Sequence, residues 1–381
     1  MRHMFRRISL FLKNAATPAL SVILLLLFAS AVRGSEEAQP GFDLPVPNGC
    51  HPVGTKAIAL SDRHHGRDLI ITMWYPAVEG KAAFAPYMDE RTADAVAENW
   101  NLQPSFARQV RTHARLLAPF AEGGPFPIVL LEHGSGAVPA IYTVLAEGLA
   151  STGFIVVAPN HPPDSLIAVF PDGHEARFTP YWAAEADRRT QGVAIGKFAE
   201  DVLVPDVQFV IDQLQEMNLH DNFWHGHMNL SKVGIVGHSM GGTTAALATK
   251  KEPRILAGVN LDGSTYPGMN DDVRPVELNK PFLFMATEEH ASNPETRARE
   301  YVGSELNTYY VVIGEADHMS FTDTHLLDSR FSRESPPDQS AFERALLTTQ
   351  LIRSLVEEFL GKYLKSELAP LLDLNLQIEK K

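Results

Sequence analysis

The 381-residue sequence contains a single cysteine, Cys50. No intrachain disulfide can form, and a cysteine-rich zinc site is excluded. Basic residues are also scarce, 33 against 46 acidic ones, for a formal charge of −13. Such acidity argues against nucleic acid as a partner, because phosphate contacts need a basic face. Internal repeats and low-complexity tracts are missing. With 45% hydrophobic and 21% charged residues, the chain is not of the disordered or collagen-like kind. Beyond residue 34 no apolar run approaches the roughly 20 residues that span a bilayer.

The first 34 residues are of a different character. Arg2, Arg6, Arg7 and Lys13 give a positive start, followed by the run Val22-Ile-Leu-Leu-Leu-Leu-Phe-Ala29. Small residues come next, in Ala29-Ser-Ala31 and Val32-Arg-Gly34. This is the layout of a secretory signal peptide; a retained anchor is the alternative, although the apolar core is short for a span. Cleavage after Gly34 removes five basic residues and no acidic one, which takes the charge from −13 to −18. The expectation is an exported, soluble protein with an exposed lead-in at 35–50 and a catalytic domain at 51–381.

Short apolar runs recur along that domain. Pro127-Ile-Val-Leu-Leu131, Gly153-Phe-Ile-Val-Val-Ala158, Lys232-Val-Gly-Ile-Val236, Ala257-Gly-Val-Asn-Leu261, Pro281-Phe-Leu-Phe-Met285 and Thr308-Tyr-Tyr-Val-Val-Ile313 read as strands covered on both faces. An earlier one runs from Asp68 to Tyr75. Helical spacing marks 141–151, 202–217, 243–250 and 340–364. Alternation of this kind predicts an α/β fold with a mainly parallel sheet and helices on both faces. Segment 84–120 looks helical, and 161–197 is a possible cap.

Gly237-His-Ser-Met-Gly241 fits Gly-x-Ser-x-Gly. The pattern alone arises by chance in roughly one chain in ten of this length. Here a buried-strand pattern precedes it and a helical one follows, which is the context the motif requires. The glycines let a tight strand-to-helix turn close, and the turn lifts the Ser239 hydroxyl clear of the sheet edge. A serine needs a base, and the base an acid. Asp262, at the end of the next strand, is the preferred acid over Glu288 and Glu289. His318, in the loop after the last strand, is the preferred base over His290 and His325. An oxyanion hole needs two N–H donors. Met240, after the nucleophile, and Ser135, in Glu132-His-Gly-Ser-Gly136, are the natural ones. No metal or organic cofactor is called for.

Together these residues resemble the α/β-hydrolase superfamily. Within it they are similar to the platelet-activating factor acetylhydrolase family of serine esterases, which overlaps dienelactone-hydrolase-like chains. The likeness runs over about 51–364 and includes His51-Pro-Val-Gly54, Met73-Trp-Tyr-Pro76, Glu132-His-Gly-Ser-Gly136, Gly237-His-Ser-Met-Gly-Gly242, Asn260-Leu-Asp-Gly263 and Asp317-His318. The resemblance implies an α/β-hydrolase fold and a Ser239–His318–Asp262 esterase with oxyanion donors at Ser135 and Met240. The family more often has a hydrophobic residue at position 135 and phenylalanine at 240. These departures alter the acyl pocket but not donation by backbone N–H. Dienelactone hydrolases use a cysteine nucleophile, and Ser239 speaks against that activity. A lipase, a polyester (cutinase-like) hydrolase and an exopeptidase are the enzyme alternatives. A catalytically inactive hydrolase-fold binding protein is the alternative of another class.

Overall fold

A computed structural model describes residues 41–181, 183–185, 187–264, 277–292, 302–303 and 308–373. The leader expected at 1–34 lies outside them. The strands, in chain order, are β1 (Phe42–Asp43), β2 (Val53–Asp62), β3 (Arg67–Pro76), β4 (Phe84–Pro86), β5 (Val110–Leu116), β6 (Phe126–Glu132), β7 (Ile155–Asn160), β8 (Ile167–Val169), β9 (Glu175–Arg177), β10 (Met228–His238), β11 (Ile255–Leu261), β12 (Glu277–Leu278), β13 (Phe282–Thr287), β14 (Val302–Gly303) and β15 (Thr308–Ile313).

Eleven of them form one sheet in the order β1-β5-β2-β3-β7-β6-β10-β11-β13-β15, with β4 against β5. Pairing is parallel except at β2–β3, β3–β7 and β4–β5. This is the mainly parallel sheet of the α/β-hydrolase fold. Helices Thr143–Ser151 and Gln339–Leu360 cover one face, sharing a core of Leu149, Phe154, Leu355 and Phe359. Helices Val204–His220 and Met240–Lys251 cover the other, with Val207, Ile211, Trp224 and Ala246. Strands between two helical layers bury both sides, so β7, β11 and β13 are apolar with little alternation.

At the sheet's other end alternation returns, and there the sequence expectation needs correcting. Segment 84–120 is helical only at Glu90–Asn99 and in a single 3-10 turn, Phe106–Arg108. Val110–Leu116 alternates buried and less buried side chains and is a strand, as is the unanticipated β2. Polar residues at every second position suit a strand with one wet face. Over its described part, 41–50, the lead-in buries only Leu44 but is tied to the domain. Phe42–Asp43 pairs with β5, Leu44 is buried, and Asn48 donates to Glu357. Segment 161–197, the possible cap, is mixed in structure. It begins with buried His161, Asp164 and Ser165, forms the β8–β9 hairpin, and only then enters helix Arg188–Phe198.

The parallel register brings strand ends level. Gly237 of β10 stands beside Glu132 of β6 and Asn260 of β11, and Leu261 stands beside Met285 of β13. The loops leaving these strands therefore open on one edge of the sheet, where ligands of open α/β sheets bind.

Candidate active site

Strand β10 ends at His238, and helix Met240–Lys251 starts two residues later. Ser239 fills the corner with φ 56° and ψ −117°, a sparsely populated positive-φ conformation costing a non-glycine residue about 1–3 kcal/mol. The neighbouring glycines are obligatory. A Cβ on Gly237 would stand 2.0 Å from the Gly241 carbonyl oxygen, and one on Gly241 2.2 Å from that of Glu132. Backbone bonds hold the corner: Ser239 N–H donates to Leu261 O at 2.9 Å, and Thr243 N–H to Ser239 O at 3.1 Å.

Asp262, just past β11, also has a positive φ (54°). Its N–H donates to Met285 O at 2.7 Å, and its Oδ1 accepts the Thr287 N–H at 2.8 Å. Its Oδ2 lies 2.7 Å from His318 Nδ1. A carboxylate can only accept, so Nδ1 carries the proton and Nε2 is left as the basic nitrogen. Burial alone would raise the Asp262 pKa. The bonds from His318 and Thr287, with the nearby His290, outweigh it and hold the carboxyl below its usual range. His290 Nδ1 stands 3.4 Å from Oδ1. Glu288 and Glu289 are exposed at the start of the short helix Glu288–Ser292. His325 turns to Asp317, 2.6 Å away.

The His318 ring is about half exposed, and its main chain is well held. Asp317 caps the turn His318–Phe321, accepting from Met319 N–H and Ser320 N–H, while its own N–H donates to Ser320 Oγ. On the other side of Ser239 lies the loop after β6. A Cβ on Gly134 would come within 3.2 Å of Ser239 Cβ. The N–H groups flanking Ser135 are engaged: Gly134 donates to Tyr142 Oη at 3.0 Å and Gly136 to Asp164 O at 2.7 Å. Met240 is the first residue of its helix, whose opening N–H groups have no partner within the helix. A cavity of about 870 Å³ beside Asp317 and Ser320 is not lined by Ser239. Among the described residues no three His, Cys, Asp or Glu side chains are grouped to hold a metal ion.

Sequence reasoning missed several polar groups behind this edge. His238, the freely variable position of the serine motif, contacts Tyr142 Oη at 2.9 Å and His318 O at 2.8 Å. Ser135 Oγ donates to Asp164 Oδ1 at 2.5 Å. Burial pushes the Asp164 carboxyl up to about 6, against the lowering effect of Ser135. His133 donates from Nδ1 to Gly134 O and accepts from Ser165 Oγ at Nε2. Behind it, His161 lies between Glu132 (2.8 Å) and Asp206 (2.9 Å), and Asp206 also binds Arg67. His238 lies in the serine motif, and Glu132, His133 and Ser135 in Glu132-His-Gly-Ser-Gly136. Their partners Tyr142, Asp164, Ser165, His161, Asp206 and Arg67 come from outside both motifs.

Known proteins resemble this chain along most of its length. A family model described as platelet-activating factor acetylhydrolase, isoform II, matches residues 37–176 and 193–362. A platelet-activating factor acetylhydrolase of Gallus gallus is 25% identical over 333 residues, covering 77% of this chain and 78% of the relative. A probable 1-alkyl-2-acetylglycerophosphocholine esterase of Arthroderma benhamiae is 25% identical over 181 residues, covering 45% and 40%. Among solved structures, a ferulic acid esterase from Streptomyces cinnamoneus superposes with a TM-score of 0.70 at 27% identity, over 87% of this chain and 96% of that one.

Proposed function

We propose, from the premise that this chain belongs to the platelet-activating factor acetylhydrolase isoform II family and is an ester hydrolase, that it works by a Ser239–His318–Asp262 acyl-enzyme mechanism. The observation that carries this reading is the 2.7 Å His318–Asp262 bond at the edge where Ser239 sits in its strained corner. Ser239 Oγ attacks the ester carbonyl while His318 Nε2 takes its proton. The Ser135 and Met240 N–H groups bind the tetrahedral oxyanion, where such donors contribute most. Collapse of the intermediate expels the alcohol, which receives the proton from His318. Water, deprotonated by His318, then attacks the acyl-Ser239 ester and releases the acid. Asp262 orients the imidazole and stabilises its charged form.

The favoured substrates are short-acyl esters, including the sn-2 acetyl ester of a glycerophospholipid, in keeping with the named relatives. The likeness to a ferulic acid esterase favours a second reading, an aryl-acid ester. Catalysis is proposed to occur after export, with the leader at 1–34 removed and residues 51–381 acting as one catalytic domain. No described helix is long and apolar enough to cross a membrane.

Ser239→Ala tests the mechanism. Hydrolysis of p-nitrophenyl acetate should fall by roughly 10⁴-fold or more with the melting temperature little changed, and a fluorophosphonate probe should cease to label the protein. Retained activity would remove Ser239 from the mechanism. Absence of labelling in the wild type would favour an inactive binding protein. A panel of p-nitrophenyl esters, an sn-2 acetyl phospholipid, methyl ferulate and a polyester film separates the substrate readings. The mass of the protein recovered outside the cell tests leader removal.

A further inference from the structure

We infer that His238 is a positioning residue that ties the oxyanion loop to the main chain of the catalytic histidine through a one-way chain of hydrogen bonds. This rests on the Ser239–His318–Asp262 reading and adds a link that the serine motif leaves unassigned. The chain runs from Gly134 N–H to Tyr142 Oη (3.0 Å), from Tyr142 Oη–H to His238 Nδ1 (2.9 Å), and from His238 Nε2–H to His318 O (2.8 Å).

The direction is dictated by what each group can do. The His318 carbonyl can only accept, so the neutral ring's proton is on His238 Nε2 and Nδ1 is left as an acceptor. Tyr142 Oη therefore donates its single proton to Nδ1 and accepts from the Gly134 amide, which can only donate. Every role is filled, and no other tautomer fits both ends.

The ring has no freedom to change this. Tyr142 and His238 are buried, and a Phe321 ring lies close to parallel with His238, 6.1 Å away. Burial pushes the His238 pKa down to about 3, helped by the neighbouring His318 and opposed by its carbonyl and by Asp262. The ring therefore stays neutral at ordinary pH. A second proton on Nδ1 would require the Tyr142 hydroxyl to turn its own proton away from the ring.

The link matters because its two ends leave different, non-adjacent strands. The oxyanion loop follows β6 and His318 follows β15, with β10, β11 and β13 between them. The oxyanion donors and the base must address one substrate carbon together. Displacing such groups by about 1 Å costs as much as 10²-fold in rate. His238, at the end of the central strand β10, fastens both sides to the residue before the nucleophile.

Tyr142→Phe is the deciding variant, because it deletes one oxygen and keeps the packed ring. Measured on p-nitrophenyl acetate with the exported chain, kcat should fall about 10- to 100-fold. KM should stay within about threefold, since the groups act on the transition state and not on ground-state binding. His238→Phe should give a similar loss. The double variant should be no worse than the poorer single one, because both break the same chain. Tyr142→Phe with kcat within about twofold of wild type, or losses that multiply in the double variant, would overturn the inference. The parent mechanism is judged separately. If Ser239→Ala is inactive while Tyr142→Phe is unaffected, only the His238 link falls. If Ser239→Ala keeps its activity, both fall.

Discussion

His161 and His238 are buried to nearly the same degree, 2% and 3% exposed, and both back the same loop, yet their pKa values are shifted in opposite directions. Burial disfavours the charged form of each. Around His161 that effect is overcome by Glu132 and Asp206, one on each ring nitrogen, and the pKa is pushed up to about 10. Around His238 the partners are a phenol and a carbonyl, and the pKa is pushed down to about 3. A common dielectric gives opposite outcomes, so the charged neighbours decide and not depth. The consequence is a division of labour. Arg67, Asp206, His161 and Glu132 form a linked row of ion pairs under the start of the loop, with Glu132 Oε1 left without a hydrogen-bond partner. The neutral ring carries direction instead, because an uncharged imidazole has one donor and one acceptor.

Breaking the charged side should have the largest effect on stability. Asp206→Ala leaves His161 and Arg67 each short of a buried partner, and should cost about 3–5 kcal/mol in urea denaturation. A loss below about 1 kcal/mol would mean that the cluster is solvated and the contrast false. Next come the opposite pH limbs. The folded pKa of His161 lies above the ordinary value near 6.5, so the folded state holds the extra proton between about 6.5 and 10. That contribution is complete below about 6.5 and is lost as pH rises toward 10. For His238 the folded pKa lies below the ordinary value, so its penalty appears as pH falls from about 6.5 toward 3. His133, also pushed down to about 3 by burial and by His161, adds to this acid limb. Melting temperatures across pH 4–10 should show both limbs. His161→Gln should flatten the alkaline one, and His238→Phe should reduce the acid one.

The smallest effect sharpens the comparison. Ser135→Ala removes the bond to Asp164 but keeps the backbone N–H, so kcat should fall less than about fivefold and stability by about 0.5–1.5 kcal/mol. Asp164, relieved of the Ser135 bond, should titrate higher still, which isotope-edited infrared of its carboxyl would read. A loss of about 100-fold in kcat would instead put the Ser135 hydroxyl on the oxyanion.

The sheet was legible where the physics is local. β6, β7, β11 and β13 announced themselves because a strand covered on both faces has little room for polar residues. β2 and β5 did not, because half-wet strands mix polar and apolar residues in short stretches that also suit helices. The serine turn was legible because only glycine fits at 237 and 241. Asp262 and His318 could be named from their places after strands, although 56 positions separate them. His161, Asp206 and Arg67 were not legible as a cluster, since nothing in one segment records the charge that will face it from another.

What the sequence by itself determined is therefore the parallel sheet and the strained serine corner. Each follows from sterics or burial within a few neighbouring residues. Only the tertiary structure decided that the His161 pKa is raised and the His238 pKa lowered. Those shifts depend on the distance to groups brought from 29 to 96 positions away, and electrostatic energy is a property of such distances and of burial, not of sequence order.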